Sequence, residues 1–232
     1  MNEIDINDKI VTLINSSLEK FFVKNFNDAI RDLKAAEVLD KNNPEILYNL
    51  GVNYAKLGLY KTSAIYFDRL LNLSYSFVGV LTVQKLMAFS LIKNSQFGNA
   101  LNVLNNVIKL APDDVTAYNM IGFCLEKQKN YFEAVKNYKT VIEIDRNNLT
   151  ALNSLAYIYA MTGGDLDTAL SYAKKVCESD KTNPAYMDTL GYIYLKLKNF
   201  KNASDYFARA LALNPFSDEI RNHMREIDTM TA

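Results

Sequence analysis

Met187-Asp188-Thr189-Leu190-Gly191-Tyr192-Ile193-Tyr194 is followed at short, regular steps by Phe200, Ala203, Phe207, Ala210 and Pro215. Steps of three, four and seven place residues on one face of a helix, so this stretch encodes two amphipathic helices with a turn between them. The pairing has a steric logic. A glycine on the first helix and an alanine on the second allow close approach, and aromatic side chains fill the holes around that contact. Moving outward, the same pattern recurs on a small residue three positions after an aromatic or Leu: Phe26…Ala29, Tyr60…Ser63, Phe97…Ala100, Tyr131…Ala134, Leu166…Ala169 and Phe200…Ala203, at intervals of 34, 37, 34, 35 and 34 residues. Twelve positions earlier stand Ser17, Gly51, Ala88, Gly122 and Gly191, and Ala156 takes this place in the fifth copy one residue further back.

All four prolines, Pro44, Pro112, Pro184 and Pro215, fall between copies, where helices start or stop. The 34-residue period, with Leu-Gly, Tyr, Ala, Phe, Ala and Pro at set places, resembles the tetratricopeptide repeat. The best matches are Tyr48-Asn49-Leu50-Gly51-Val52-Asn53-Tyr54 and the copy quoted above. The resemblance implies an all-α, right-handed superhelical solenoid of antiparallel helix pairs. It divides the chain into an extension (1–9), six repeats over 10–215 (about 10–43, 44–80, 81–114, 115–148, 149–183 and 184–215), and a capping helix with tail (216–232). The tryptophan of the signature is replaced by Leu47, Gln84, Tyr118, Leu152 and Met187. The first copy carries Ser16, Ser17 and Lys20 where core residues belong, and the second runs three residues long through 71–80, a junction expected to be loose. After Pro215, Ser217 can cap a last helix whose apolar face is Ile220, Met224 and Ile227, with His223 as a packing residue.

Composition excludes several function classes. With 26 Lys+Arg against 26 Asp+Glu the chain lacks the basic field that nucleic-acid binding needs, and an RNA-binding repeat is disfavoured on the same ground. One His and two Cys (Cys124 and Cys177) leave no material for a metal centre or a disulfide framework, and no cofactor motif is present. No Gly-x-Ser-x-Gly, phosphate loop or paired histidine points to catalysis. Gly163-Gly164 lies in a turn, and Asp113-Asp114 reads as helix-start electrostatics. The N-terminal residues lack an apolar signal core and no segment suits a membrane span, so a cytoplasmic protein is expected.

Function is therefore expected on a surface. In the implied solenoid the first helices line a concave groove, and the residues they leave free of the core form a pattern. An aromatic-rich stripe (Val52, Phe89, Phe123, Tyr157, Tyr192) runs beside a lysine row (Lys56, Lys93, Lys127, Lys196), with Tyr48, Asn49, Lys85, Asn119 and Asn153 one turn earlier. Five lysines face Glu45, Glu126 and Asp188, so the trough is locally positive. Aromatic area, amides that can pair with a peptide backbone and lysines that favour carboxylates suit a partner peptide or helix. The Lys/Asn clamp of chaperone-tail receptors is not recognisable, since Lys85 is followed four positions on by Phe89. The alternative expectation is a scaffold that self-associates through Phe21-Phe22-Val23 and the 75–80 junction.

Overall fold

The computed structural model describes residues 3–73 and 79–231, which form thirteen α-helices. Antiparallel pairs follow one another: α1 (Glu3–Phe22) with α2 (Phe26–Leu39), α3 (Pro44–Lys56) with α4 (Tyr60–Leu71), and α5 (Val80–Lys93) with α6 (Phe97–Leu110). Then come α7 (Val115–Lys127), α8 (Tyr131–Ile144), α9 (Leu149–Thr162) paired with α10 (Leu166–Ser179), α11 (Pro184–Lys196) paired with α12 (Phe200–Leu213), and a last helix α13 (Asp218–Thr231). This is an all-α helix-pair solenoid. Its chain divides into two compact units, Met1–Gln128 with α1–α7 and Lys129–Ala232 with α8–α13.

The aromatic or Leu that leads each motif is the first residue of each second helix, and the small residue three positions later is buried in every copy. The small position twelve residues earlier is constrained as well: a Cβ built at Gly51 would stand 2.6 Å from the Phe67 ring. Its neighbour Ser63 donates to the Gly51 carbonyl at 2.7 Å and lies 2.9 Å from the Ser90 hydroxyl, tying α4 to α3 and α5. Phe67 and Phe207 sit wholly inside, each contributing roughly 3 kcal/mol by burial.

Helix starts are capped as the polar residues before them require. Asn43 accepts from the backbone of Glu45 and Ile46, Asp114 from Ala117, Asn148 from Ala151, and Asp165 from Asp167 and Thr168. Ser217 accepts from the Ile220 amide at the start of α13.

Helix α1 begins at Glu3, inside the segment set aside as an extension, because Ile6, Ile10 and Ile14 continue its apolar face upstream. The polar residues that weakened the first copy find a use: Ser16 (2.6 Å) and Lys20 both bond Asp32 of α2, and Ser17 is buried with its hydroxyl on the Ile14 carbonyl. Of the junction expected to be loose, residues 74–78 lie outside the described residues.

Candidate functional site

In the first unit the first helices supply one lined face. Helix α5 packs on α7, and between α3, α4 and α5 opens a cleft of about 340 Å³. Val52, Lys56 and Tyr60 form one side and Leu86 and Phe89 the other, with Phe67 below. The Phe89 ring is 42% exposed and meets Tyr60 edge-on at 6.1 Å. One repeat further on, Phe123 is 37% exposed and meets Phe97 edge-on at 6.4 Å.

The lysine row and the aromatic stripe prove to be one device. Lys93 lies over the Phe89 ring at 5.7 Å and Lys127 over Phe123 at 5.1 Å, each four residues after its ring. Such stacking holds the ammonium at the ring face while leaving it solvated. Lys56, Lys93 and Lys127 are exposed and make no ion pair among the described residues. Lys85 differs: its Nζ bonds Asp114 Oδ2 at 2.5 Å, so its charge is already matched within the unit. Burial pushes the Asp114 carboxyl up, but the Lys85 bond and the Ala117 amide outweigh it and hold the group below its ordinary value. Tyr48, Asn49, Val52 and Asn119 are half-buried, and the Asn49 carbonyl accepts from Asn53 at 2.8 Å.

The second unit places its four expected groove residues, Asn153, Tyr157, Tyr192 and Lys196, differently. Helix α9 packs on α11, and α13 lies against α11 and α12. Tyr192 is only 7% exposed, its ring tilted against Tyr157 at 5.4 Å and against His223 of α13 at 4.6 Å. Lys196 lies over the Tyr192 ring at 4.6 Å and bonds Glu226 of α13 at 2.8 Å. The Oδ1 of Asn153 is buried inside the unit. Here the capping helix occupies the face.

His223 is more than a packing residue. Its Nδ1 stands 3.0 Å from Asp188 Oδ1, with both side chains largely buried. Burial lowers the imidazole pKa, but the Asp188 bond and charge, with Glu219 and Glu226 nearby, raise it above its ordinary value.

A further cluster lies on the second helices of the first unit. Glu37 accepts from Lys34 Nζ (2.5 Å), Arg69 Nη1 (2.5 Å) and Tyr66 Oη (3.2 Å). Burial pushes its carboxyl up, and the Lys34 and Arg69 bonds bring it below the ordinary value. Opposite charges about one repeat apart were the available sequence signal for these pairs.

Both thiols are buried and free, and desolvation pushes Cys124 up to about 12, which leaves it an inert core residue. No cluster able to hold a metal occurs among the described residues, and no helix among them is long and apolar enough to cross a membrane.

Tetratricopeptide-repeat profiles match residues 44–77, 115–148 and 184–217, and a further TPR profile matches 24–58. Together they cover more than half of the chain, which belongs to the tetratricopeptide-repeat family of protein-interaction modules. A double mutant of MamA RS-1 is 26% identical with a TM-score of 0.66, covering 74% of this chain and 94% of that one. YrrB, described as a TPR protein with an unusual peptide-binding site, is 21% identical with a TM-score of 0.63, over 79% of this chain and 93% of its own. PilF of Pseudomonas aeruginosa, at 15% identity, has a TM-score of 0.72 over 96% and 99% of the two chains. No curated protein sequence matches.

Proposed function

We propose that the protein is a non-catalytic adaptor that binds a partner segment, as extended peptide or amphipathic helix, on the α3–α5–α7 face of its first unit. The observation that carries this reading is the cleft between Val52 and Phe89, lined also by Lys56, with Lys93 over the Phe89 ring and neither lysine in an ion pair among the described residues. An exposed aromatic beside a cleft is the anchor geometry of peptide recognition, and the lysines bias the partner toward acidic residues flanking an apolar one. The second unit contributes less open surface, because α13 covers Tyr192 and engages Lys196.

The test is capture of a partner followed by mapping on the purified complex by hydrogen exchange. Protection is expected in α3, α5 and α7, and Phe89→Ala/Lys56→Glu should reduce affinity at least tenfold while leaving the helical circular-dichroism signal unchanged. Equal affinity in that variant, with protection elsewhere, would refute the assignment.

A self-associating scaffold draws on one observation, the 79% exposure of Phe22 beside the exposed Val23. A concentration-dependent dimer in light scattering that disappears in Phe22→Asp would favour it.

A further inference from the structure

The Glu37 cluster has a counterpart in the second unit from which the carboxylate is missing. Its three donors recur 140 positions on, Lys34 as Lys174, Tyr66 as Tyr206 and Arg69 as Arg209, and Lys41, whose carbonyl accepts from Arg69, recurs as Lys181, while Glu37 becomes Cys177. The surrounding geometry is retained. Tyr54 stacks on Tyr66 at 5.4 Å and 11°, and Tyr194 stacks on Tyr206 at 5.7 Å and 17°. The Arg69 guanidinium lies 5.1 Å over the Tyr66 ring, and that of Arg209 lies 5.0 Å over Tyr206.

In the first unit this framework closes on a carboxylate held by an ammonium, a guanidinium and a phenol. In the second, the same framework borders a cleft of about 100 Å³ with Cys177 in its lining, where the first unit has a cleft of about 340 Å³ beside Lys34, Glu37, Lys41 and Arg69. Burial pushes that thiol up, so it remains neutral and does not replace the missing charge. Three carboxylates lie nearby without filling the position: Glu178, on the wall of the cleft, Asp180, which accepts from Thr182, and Asp205. Glu178, which stands where Val38 does, forms no ion pair among the described residues, and exposed Asp205 lies 3.8 Å from Arg209 along α12. Lys174 and Lys181 have no ion-pair partner among the described residues.

We propose that the cleft formed by Lys174, Lys181, Tyr206 and Arg209 is a receptor for a carboxylate, supplied by a glutamate or aspartate side chain of a protein partner. The chain itself displays the bound state, because Glu37 is such a side chain seated in the equivalent framework. Guanidinium and ammonium donors lining one cleft can form charge-assisted bonds to an anion, and Arg209 is held over the Tyr206 ring beforehand. Cys177 supplies no carboxylate of its own, so these donors lack the acceptor that Glu37 provides in the first unit. The site lies on α10 and α12 and stands independently of the α3–α5–α7 face.

The test is a titration of the intact protein with N-acetyl-glutamate-amide, followed by amide chemical shifts. N-acetyl-glutamine-amide and inorganic phosphate serve as parallel probes. Saturable shifts centred on Lys174, Tyr206 and Arg209 are expected with the glutamate probe and not with the glutamine probe. Cys177→Glu, which supplies the carboxylate from within, should weaken that binding at least tenfold, and Arg209→Met should do the same by removing the strongest donor. Because Cys177→Glu could unfold the unit, Arg209→Met carries the test alone in that event. Glu37→Cys should create a second binding locus at Lys34 and Arg69. Absence of shifts at the cleft, or shifts unchanged in Arg209→Met, would overturn the proposal. Phosphate binding tenfold more tightly than the glutamate probe would overturn the assignment to a protein carboxylate.

Discussion

Gly51→Ala should destabilise the protein, although by helix propensity alone it would stabilise α3 by about 1 kcal/mol. The added Cβ would stand 2.6 Å from Phe67 Cε1 and 2.9 Å from Cδ1 and Cζ, where ordinary contact begins at 3.4 Å. The ring must therefore retreat by about 0.8 Å. It has nowhere to go: Phe67 is 1% exposed, packed among Leu33, Leu47, Leu50 and Leu70. Overpacking of this kind costs about 1–3 kcal/mol, and an off-rotamer ring adds about 1 kcal/mol. Set against the propensity gain, the net loss is about 1–3 kcal/mol. The assay is urea unfolding followed by circular dichroism, with hydrogen exchange in α3 and α4 to localise the effect. Phe67→Leu in the same chain removes the ring edge, so the double variant should recover most of the overpacking term relative to the sum of the single changes. A Gly51→Ala protein more stable than its parent, or strict additivity in the cycle, would refute the steric account of the repeat.

Two other perturbations test the ends and joints. The His223 imidazole pKa is raised in the folded state, so its stabilisation of α13 is complete below the ordinary value of about 6.5 and disappears as pH rises through the raised one. Hydrogen-exchange protection of α13, corrected for intrinsic rate, should fall with rising pH in the parent and lose that dependence in His223→Gln; identical profiles would reject the Asp188–His223 link. Asp114→Ala removes the cap of α7 and the partner of Lys85 together, and should cost about 1–2 kcal/mol at neutral pH. Because the Asp114 pKa is depressed, that contribution is present above the ordinary carboxylate value and vanishes as pH falls through the depressed one. The difference between variant and parent in urea unfolding should therefore shrink in acid.

The helix pairs were legible because each is written locally: small residues meet across one turn, and an aromatic, or Leu166 in the fifth, opens each second helix. The start of α1 at Glu3 was legible too, in the four-residue steps of Ile6, Ile10 and Ile14, but the acidic residues between them suggested a tail. What escaped was the polar bonding between repeats. Glu37–Arg69, Lys85–Asp114, Lys196–Glu226 and Asp188–His223 join positions 32, 29, 30 and 35 apart, the separation at which a solenoid brings its chain back alongside itself. A helical wheel drawn on one helix shows Lys196 or Asp188 as an open groove residue, and only the succeeding helix reveals the partner. The α13 helix was expected to cover core. Its polar residues also claim the groove side of α11.

The turns inside the helix pairs share a backbone shape. Lys24, Gly58, Ser95, Lys129, Gly163 and Lys198 all have φ between 57° and 76°. After five of them the next amide returns to the carbonyl five residues back, as in Asn25 to Lys20, Leu59 to Tyr54 and Gln96 to Leu91. Glycine enters this left-handed bend without strain, whereas a side chain there is disfavoured by roughly 1 kcal/mol. Local resilience is consequently graded by spelling at a single position. The relaxed bends at Gly58 and Gly163 can hold their helix pairs shut, while those at Lys24, Ser95 and Lys198 work as weak latches. Breathing of the solenoid would begin at those latches, and a substitution there could adjust the opening rate of one pair without touching any residue that a partner meets.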